Sequence, residues 1–167
     1  PGSVFDYVHG AAEDELSIAR ARRAFASVEF EPRVLHDVAS VDTSTMILGR
    51  RASFPLILAP TGFTRMMQHE GEIAVARAAA RAGVPYTLST MGTTSPAELT
   101  DAVPSGDNWF QLYLWTDRDR TRRLIEEARR TGYETLVLTV DTPVAGNRVR
   151  DARNGLTIPP TLNLKTM

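Results

Sequence analysis

The period of apolar and polar positions changes along the chain. Over 13–25, Ile18, Ala21 and Phe25 recur at helical spacing with Arg20 and Arg23 opposite them, which predicts a helix. Leu16 falls off that apolar face, so the amphipathicity is modest. Glu13-Asp14-Glu15 would occupy the first turn, where the helix dipole favours negative charge. From 29 to 51 no period is sustained, and short β-branched segments read as a lead-in to the regular pattern that begins at Phe54. Phe54-Pro55-Leu56-Ile57-Leu58-Ala59-Pro60 is a continuous apolar run, the pattern of a strand buried on both faces. An Ala-rich helix over 70–82 comes next, closed by Gly83. Then come a strand over 86–90, a short helix over 96–102 with Ser95 as its N-cap, and a strand over 109–113. A helix over 117–130 stops near Gly132, and a last strand covers 135–140.

Strands alternating with helices predict an α/β fold with a parallel sheet. A doubly wound sheet would want a glycine-rich turn after its first strand, but Pro60-Thr61-Gly62-Phe63-Thr64 holds one glycine and no GxGxxG. The pattern therefore leans to a (β/α)8 barrel. A complete barrel takes around 250 residues, and the chain has 167. The expected organisation is an N-terminal extension over 1–53 and the first four βα units of a TIM barrel over 54–167, a single incomplete domain with an N-terminal helical extension.

Composition narrows the functional classes. With 43% apolar residues, 23% charged and a net charge of -1, the chain is an ordinary globular sequence with no field to attract nucleic acid. The arginines of 118–123 are interleaved with Asp and followed by Glu126 and Glu127, as on a solvated helix face. The absence of cysteine excludes disulfides, thiolate nucleophiles and Cys-ligated metals in this chain, suits a reducing cytoplasm, and no metal site is expected. No apolar run approaches the roughly 18–20 residues that span a bilayer. The first residue is Pro, so the N-terminus is expected to be cut or processed.

In a barrel, chemistry gathers at the C-terminal ends of strands. Each predicted strand ends in polar residues: Thr61 and Gly62, Ser89 and Thr90, Gln111 and Tyr113, Thr139 and Asp141. Gln111 and Tyr113 share a face because they are two apart. Such groups need partners. A ligand rich in donors and acceptors could supply them, and so could local backbone; the residues alone leave both readings open.

The ordered motifs Phe5-Asp6-Tyr7-Val8-His9-Gly10-Ala11-Ala12-Glu13-Asp14-Glu15, Arg23-Ala24-Phe25, Phe30-Glu31-Pro32-Arg33-Val34-Leu35 and Asp42-Thr43-Ser44-Thr45 open the chain. They continue with Ala59-Pro60-Thr61-Gly62, Leu88-Ser89-Thr90, Phe110-Gln111-Leu112-Tyr113, Leu138-Thr139-Val140-Asp141-Thr142-Pro143, Arg148, Asn154 and Ile158-Pro159-Pro160. Together they resemble the FMN-dependent α-hydroxy-acid dehydrogenase/oxidase family over essentially the whole chain, most of all its bacterial flavin-linked L-lactate dehydrogenases. Tyr7 and the Gln111-Leu112-Tyr113 segment speak against other FMN barrels such as type-2 isopentenyl-diphosphate isomerase.

The resemblance implies FMN as cofactor and a small 2-hydroxy acid as substrate. It implies that the backbone of Pro60, Thr61 and Gly62 faces the flavin N5 edge, and that Ser89, Gln111 and Thr139 bond the polar edge of the ring. Tyr7 would bind the substrate carboxylate, Tyr113 would sit at the substrate oxygen as the catalytic residue of this chain, and Arg148 would stand at the rim. Asp141 is expected to order loop backbone. In the family the catalytic base is a histidine on a later βα loop; His9, His36 and His69 do not match it and are expected to be structural. The flavin-phosphate groups and the substrate-clamping arginine also belong to the second half of a barrel. The chain alone is therefore expected to be inactive and to need the remainder of the barrel. Gly62, Met91 and Ala145 suggest a roomy pocket that prefers L-lactate or a larger acid to glycolate. The stretch 159–167 is expected at the entrance to a long loop. A homo-oligomer, with a tetramer among the options, is expected in the cytoplasm or peripheral to the inner membrane. The rival from another class is a non-catalytic half-barrel interaction module.

Overall fold

In the computed structural model, which describes residues 2–156, the elements run α1 (Gly2–His9), α2 (Leu16–Ala26), β1 (Thr45–Ile47), β2 (Arg50–Ala52), a 3-10 turn (Thr64–Met66), α3 (Gly71–Ala82), β3 (Tyr86–Leu88), α4 (Pro96–Ala102), β4 (Asn108–Tyr113), α5 (Arg118–Arg130), β5 (Leu136–Thr139) and α6 (Val149–Arg153). Two units form. One takes the chain up to Val38 together with the part from Pro143, and the other is Ala39–Thr142. The contacts thus group residues differently from the expected division at 53. The Ile158-Pro159-Pro160 motif and the stretch 159–167 lie outside the described residues.

In the Ala39–Thr142 unit, β3, β4 and β5 form a parallel sheet in sequence order, with Leu88 opposite Phe110 and Leu112 opposite Leu138. Side chains alternate across it. On one face Tyr86, Leu88, Phe110 and Leu112 join a core with Ala76 and Ala79 of α3, Leu99 of α4, Val103 at the end of α4, and Ala128 of α5. Burying each large side chain stabilises by about 1.5–3 kcal/mol. The other face carries Thr87, Trp109, Gln111, Tyr113, Val137 and Thr139, and on it Tyr113 registers with Thr139.

Local chemistry explains the helix ends. Gly83 adopts φ 66 and its N–H closes on the carbonyls of Ala79 and Ala80, in keeping with its position in the sequence. Ser95 and Glu98 form a reciprocal capping box at α4. Asp117 caps α5 by accepting the Arg120 N–H at 2.9 Å. On the outer face of α5, Arg122 pairs with Asp119 and Arg120 lies over Trp115, in line with a solvated surface. The lead-in segment holds a β1–β2 hairpin whose turn residues Leu48 and Gly49 both have positive φ.

Three expectations are corrected. The run 54–60 is not a strand buried on both faces: it touches β3 only at Leu58, whose N–H reaches Pro85 and whose carbonyl accepts from Thr87, both at 3.0 Å. Leu56 and Ile57 stay 45% and 40% exposed, because nothing among the described residues covers the far side of this edge. The helix over 13–25 starts later, at Leu16, since Glu13 and Glu15 take left-handed backbone. Glu15 is therefore free to accept the Ala11 N–H and pair with Arg150 instead of lying in a first turn. Its expected apolar face is also uncovered, with Phe25 83% exposed. The apolar pattern does not announce α1 or α6. They are stitched within their unit by Asn154 to Asp6 (2.7 Å), Arg150 to Asp6 and Glu15, and Glu13 N–H to the Asn147 carbonyl (2.8 Å). No helix of the described residues is long and apolar enough to cross a membrane.

Candidate active site

The C-terminal ends of β3, β4 and β5 lie side by side, so the polar residues that close each strand meet. Gln111, 1% exposed, is the hub. Its Oε1 accepts from the Thr90 N–H at 3.0 Å and from Ser89 Oγ at 3.3 Å, while its Nε2 donates to Thr139 Oγ1 at 2.7 Å. Thr90 Oγ1 donates to the Gln111 carbonyl at 2.5 Å and accepts the Tyr113 N–H at 3.3 Å. Ser89 Oγ also accepts the Met91 N–H at 3.1 Å. Ser89, Gln111, Thr139 and Tyr113 are thereby brought together.

The donor chemistry left over is specific. A primary amide has two hydrogens and Gln111 spends one on Thr139. Thr139, accepting that bond, keeps its own hydroxyl hydrogen to give. An amide N–H and a hydroxyl side by side on the face away from the helices suit a ligand edge lined with carbonyl oxygens. The polar edge of a flavin ring is such an edge, so these residues fit FMN.

The loop after Leu58 approaches the same strand ends. The Phe63 N–H donates to the Met91 carbonyl at 3.0 Å, and Thr64 Oγ1 donates to the Thr61 carbonyl at 3.3 Å. Pro60 and Thr61 are exposed. A Cβ on Gly62 would lie 3.1 Å from Met91 Cβ. Gly62 and Met91 therefore stand in close contact.

Behind the β3–α4 loop stands a group that sequence reasoning missed. Glu72, 0% exposed, accepts from the Thr93 N–H at 2.7 Å, Thr93 Oγ1 at 2.6 Å and Thr94 Oγ1 at 2.9 Å. Burial pushes its carboxyl up. The bonds from Thr93, from its own backbone and from Thr94 outweigh that and hold its pKa below the ordinary glutamate value. Tyr86, buried and facing that charge, has its hydroxyl pushed well above the usual tyrosine range.

In the other unit, Tyr7 is half-buried on α1 and Arg148 stands immediately before α6. The Arg148 guanidinium lies 4.8 Å from the centre of the Tyr7 ring, donates to the Tyr7 carbonyl and pairs with Asp151. Asp151 is buried, and among the described residues its Oδ1 has no hydrogen-bond partner. Arg148 is thus held by both Tyr7 and Asp151. Asp141 is exposed. His9 stacks on Phe5 and faces Arg22 and Arg150, and His69 is exposed in the turn before α3.

Residues 1–167 match the family described as FMN-dependent dehydrogenase. The chain is 53% identical over 167 residues to a Mycobacterium tuberculosis protein provisionally named an L-lactate dehydrogenase, covering 100% of this chain and 40% of that protein. It is 43% identical over 165 residues to glycolate oxidase of Spinacia oleracea, covering 99% of this chain and 44% of that one. A soluble mutant of the membrane-associated (S)-mandelate dehydrogenase from Pseudomonas putida superposes with a TM-score of 0.90 at 42% identity, over 99% of this chain and 47% of that one. The chain spans less than half the length of each of these proteins.

Proposed function

The chain belongs to the FMN-dependent dehydrogenase family, and from that premise we propose that, within a complete enzyme, it serves the oxidation of an L-2-hydroxy acid, L-lactate by preference, to the 2-oxo acid. The observation that carries this reading is the Ser89–Gln111–Thr139 network, which spans three successive strand ends and leaves an amide hydrogen and a hydroxyl hydrogen to offer. FMN supplies the redox capacity, taking up the two electrons that the substrate loses.

This chain's residues bind and orient. Ser89, Gln111 and Thr139 hold the polar edge of the ring, and the Pro60-Thr61-Gly62 backbone lines its reactive edge. The Tyr113 hydroxyl donates to the substrate oxygen, where charge changes during oxidation. Tyr7 donates to the substrate carboxylate without adding a charge. Arg148 acts beside Tyr7, whose ring and carbonyl it already engages. Proton removal we assign to a histidine outside this chain, because the family resemblance places the base on a later βα loop than His9, His36 or His69 occupies.

The strict sequence order of the strands, with no reversal, supports reading 54–167 as the first four βα units of a (β/α)8 barrel. The remainder of the barrel is then an obligatory partner and the isolated chain is inactive. Homo-oligomerisation and a cytoplasmic location, peripheral to a membrane as for the membrane-associated mandelate dehydrogenase relative, belong to the same proposal.

The test uses the complete protein that contains this chain. Anaerobic L-lactate is expected to bleach a bound flavin while D-lactate does not, and kcat/KM for L-lactate is expected to exceed that for glycolate. Gln111→Leu should weaken FMN binding by about tenfold for each lost hydrogen bond of about 1.4 kcal/mol. A colourless, self-associating protein would favour the interaction module, and a higher kcat/KM for glycolate would remove the lactate preference.

A further inference from the structure

Glu72 has no place among the groups assigned above, and its surroundings ask for one. It lies in the first turn of α3, fully buried, and among the described residues no ion pair reaches it. The nearby Arg65 donates to Thr94 Oγ1 at 3.4 Å instead. Removing a carboxylate from water without a counter-ion is costly, and an apolar side chain would fill the space more cheaply. A carboxylate differs from any neutral side chain of its size in accepting several hydrogen bonds at once. Glu72 uses that capacity on one target, the β3–α4 loop at Thr93 and Thr94.

That loop is short and tightly constrained. It leaves β3 at Ser89, a partner of Gln111. Gly92 N–H returns to the Ser89 carbonyl at 2.9 Å, and a Cβ on Gly92 would come within 3.0 Å of Leu88 Cδ1 and 2.9 Å of the Ser89 carbonyl. Between them, Met91 gives its carbonyl to the Phe63 N–H and stands against Gly62. Fixing Thr93 therefore fixes Met91 two residues earlier, and Met91 in turn sets the backbone at Gly62 and Phe63.

We propose that Glu72 is a positioning residue for the flavin: by pinning Thr93 and Thr94 it sets where Met91 and the Gly62–Phe63 backbone stand against the reactive edge of the ring. The proposal rests on the FMN reading above and deepens it. Glu72 touches neither cofactor nor substrate; it acts through the loop.

The experiment compares Glu72→Gln, Glu72→Ala and Thr93→Val in the complete, FMN-loaded protein. Glu72→Gln keeps an oxygen for the Thr93 N–H but turns a donor toward the Thr93 and Thr94 hydroxyls, so its effect should lie between wild type and Glu72→Ala. Glu72→Ala should shift the flavin absorption bands and slow reduction by substrate by about tenfold or more, the scale of a small misplacement of reacting groups. KM should change little. Thr93→Val should move both readouts in the same direction by less. Glu72→Ala with a lowered Tm but wild-type spectrum and reduction rate would overturn the proposal, leaving Glu72 a stabilising residue only. If Glu72→Ala does not fold, Thr93→Val decides by the same two readouts. A wild-type protein that binds no flavin would overturn the FMN reading itself, before any variant is compared.

Discussion

The charge on Glu72 survives burial because donors converge on it, and this makes stability depend on pH in a definite sense. Its folded pKa lies below the ordinary glutamate value, with desolvation raising it and the Thr93, backbone and Thr94 bonds lowering it further. Between the folded and unfolded values the unfolded chain binds more protons. The stabilisation is therefore complete above the ordinary glutamate value and is lost as pH falls through the folded one. Urea midpoints measured from about pH 7 to about pH 3 should fall more steeply for wild type than for Glu72→Gln. Parallel slopes would assign the acid sensitivity to other carboxylates. Tyr133 behaves oppositely: burial pushes its hydroxyl up to about 12, a bond with Thr100 offsetting part of the rise, so it favours the fold until strongly alkaline pH. At this scale Ser89, Gln111 and Thr139 were legible, because polar side chains closing apolar strands demand an explanation. Glu72 was not, since a glutamate in the first turn of an Ala-rich helix reads as a solvent-facing complement to the dipole. Arg148 was legible as a candidate, but its anchoring to Tyr7 and Asp151 needed a short helix that five polar-rich residues do not announce.

Elements were readable where punctuation is chemical. Gly83, Ser95 and Asp117 mark the ends of three helices, and each performs the local task its residue type suits. Gly83 is the most exacting: at φ 66 a side chain is strained, and a Cβ there would sit 2.3 Å from Ser53 Oγ. Gly83→Ala should destabilise by about 1–2 kcal/mol from backbone conformation alone, with more from the clash. In urea denaturation Ser53→Gly should recover the clash portion in the double variant, and no recovery would show that the backbone term carries the whole loss. Elsewhere the pattern misled. The run 54–60 is apolar enough for a central strand, yet hydrogen bonding decides strand character, and only Leu58 is bonded as one. α2 begins late because left-handed backbone at Glu13 and Glu15 overrides the dipole preference of an acidic cluster.

Over the whole molecule, the parallel α/β organisation followed from alternating periods, and the family from ordered motifs. What periodicity could not show is which surfaces stay uncovered. Leu136 and Leu138 are each 46% exposed and Val140 79%, at one end of a sheet whose other end leaves Leu56 and Ile57 open. Edges and apolar faces of this kind invite association. The isolated chain should bind a hydrophobic dye strongly and elute as a heterogeneous set of aggregates, whereas the complete protein should bind the dye weakly and elute as one defined species. A monodisperse, dye-silent isolated chain would speak against the half-barrel reading.

The grip of Arg148 on Tyr7 joins positions 141 residues apart, and the unit it belongs to is discontinuous in the chain, while Ala39–Thr142 is one uninterrupted piece. On the ribosome that order matters. The middle piece can gather its contacts as it emerges, but Asp6 and Glu15 must wait for Arg150 until the segment from Pro143 has been made. Synthesis therefore leaves the N-terminal helices as the last part of this chain to find their partners, and the first that a chaperone would meet.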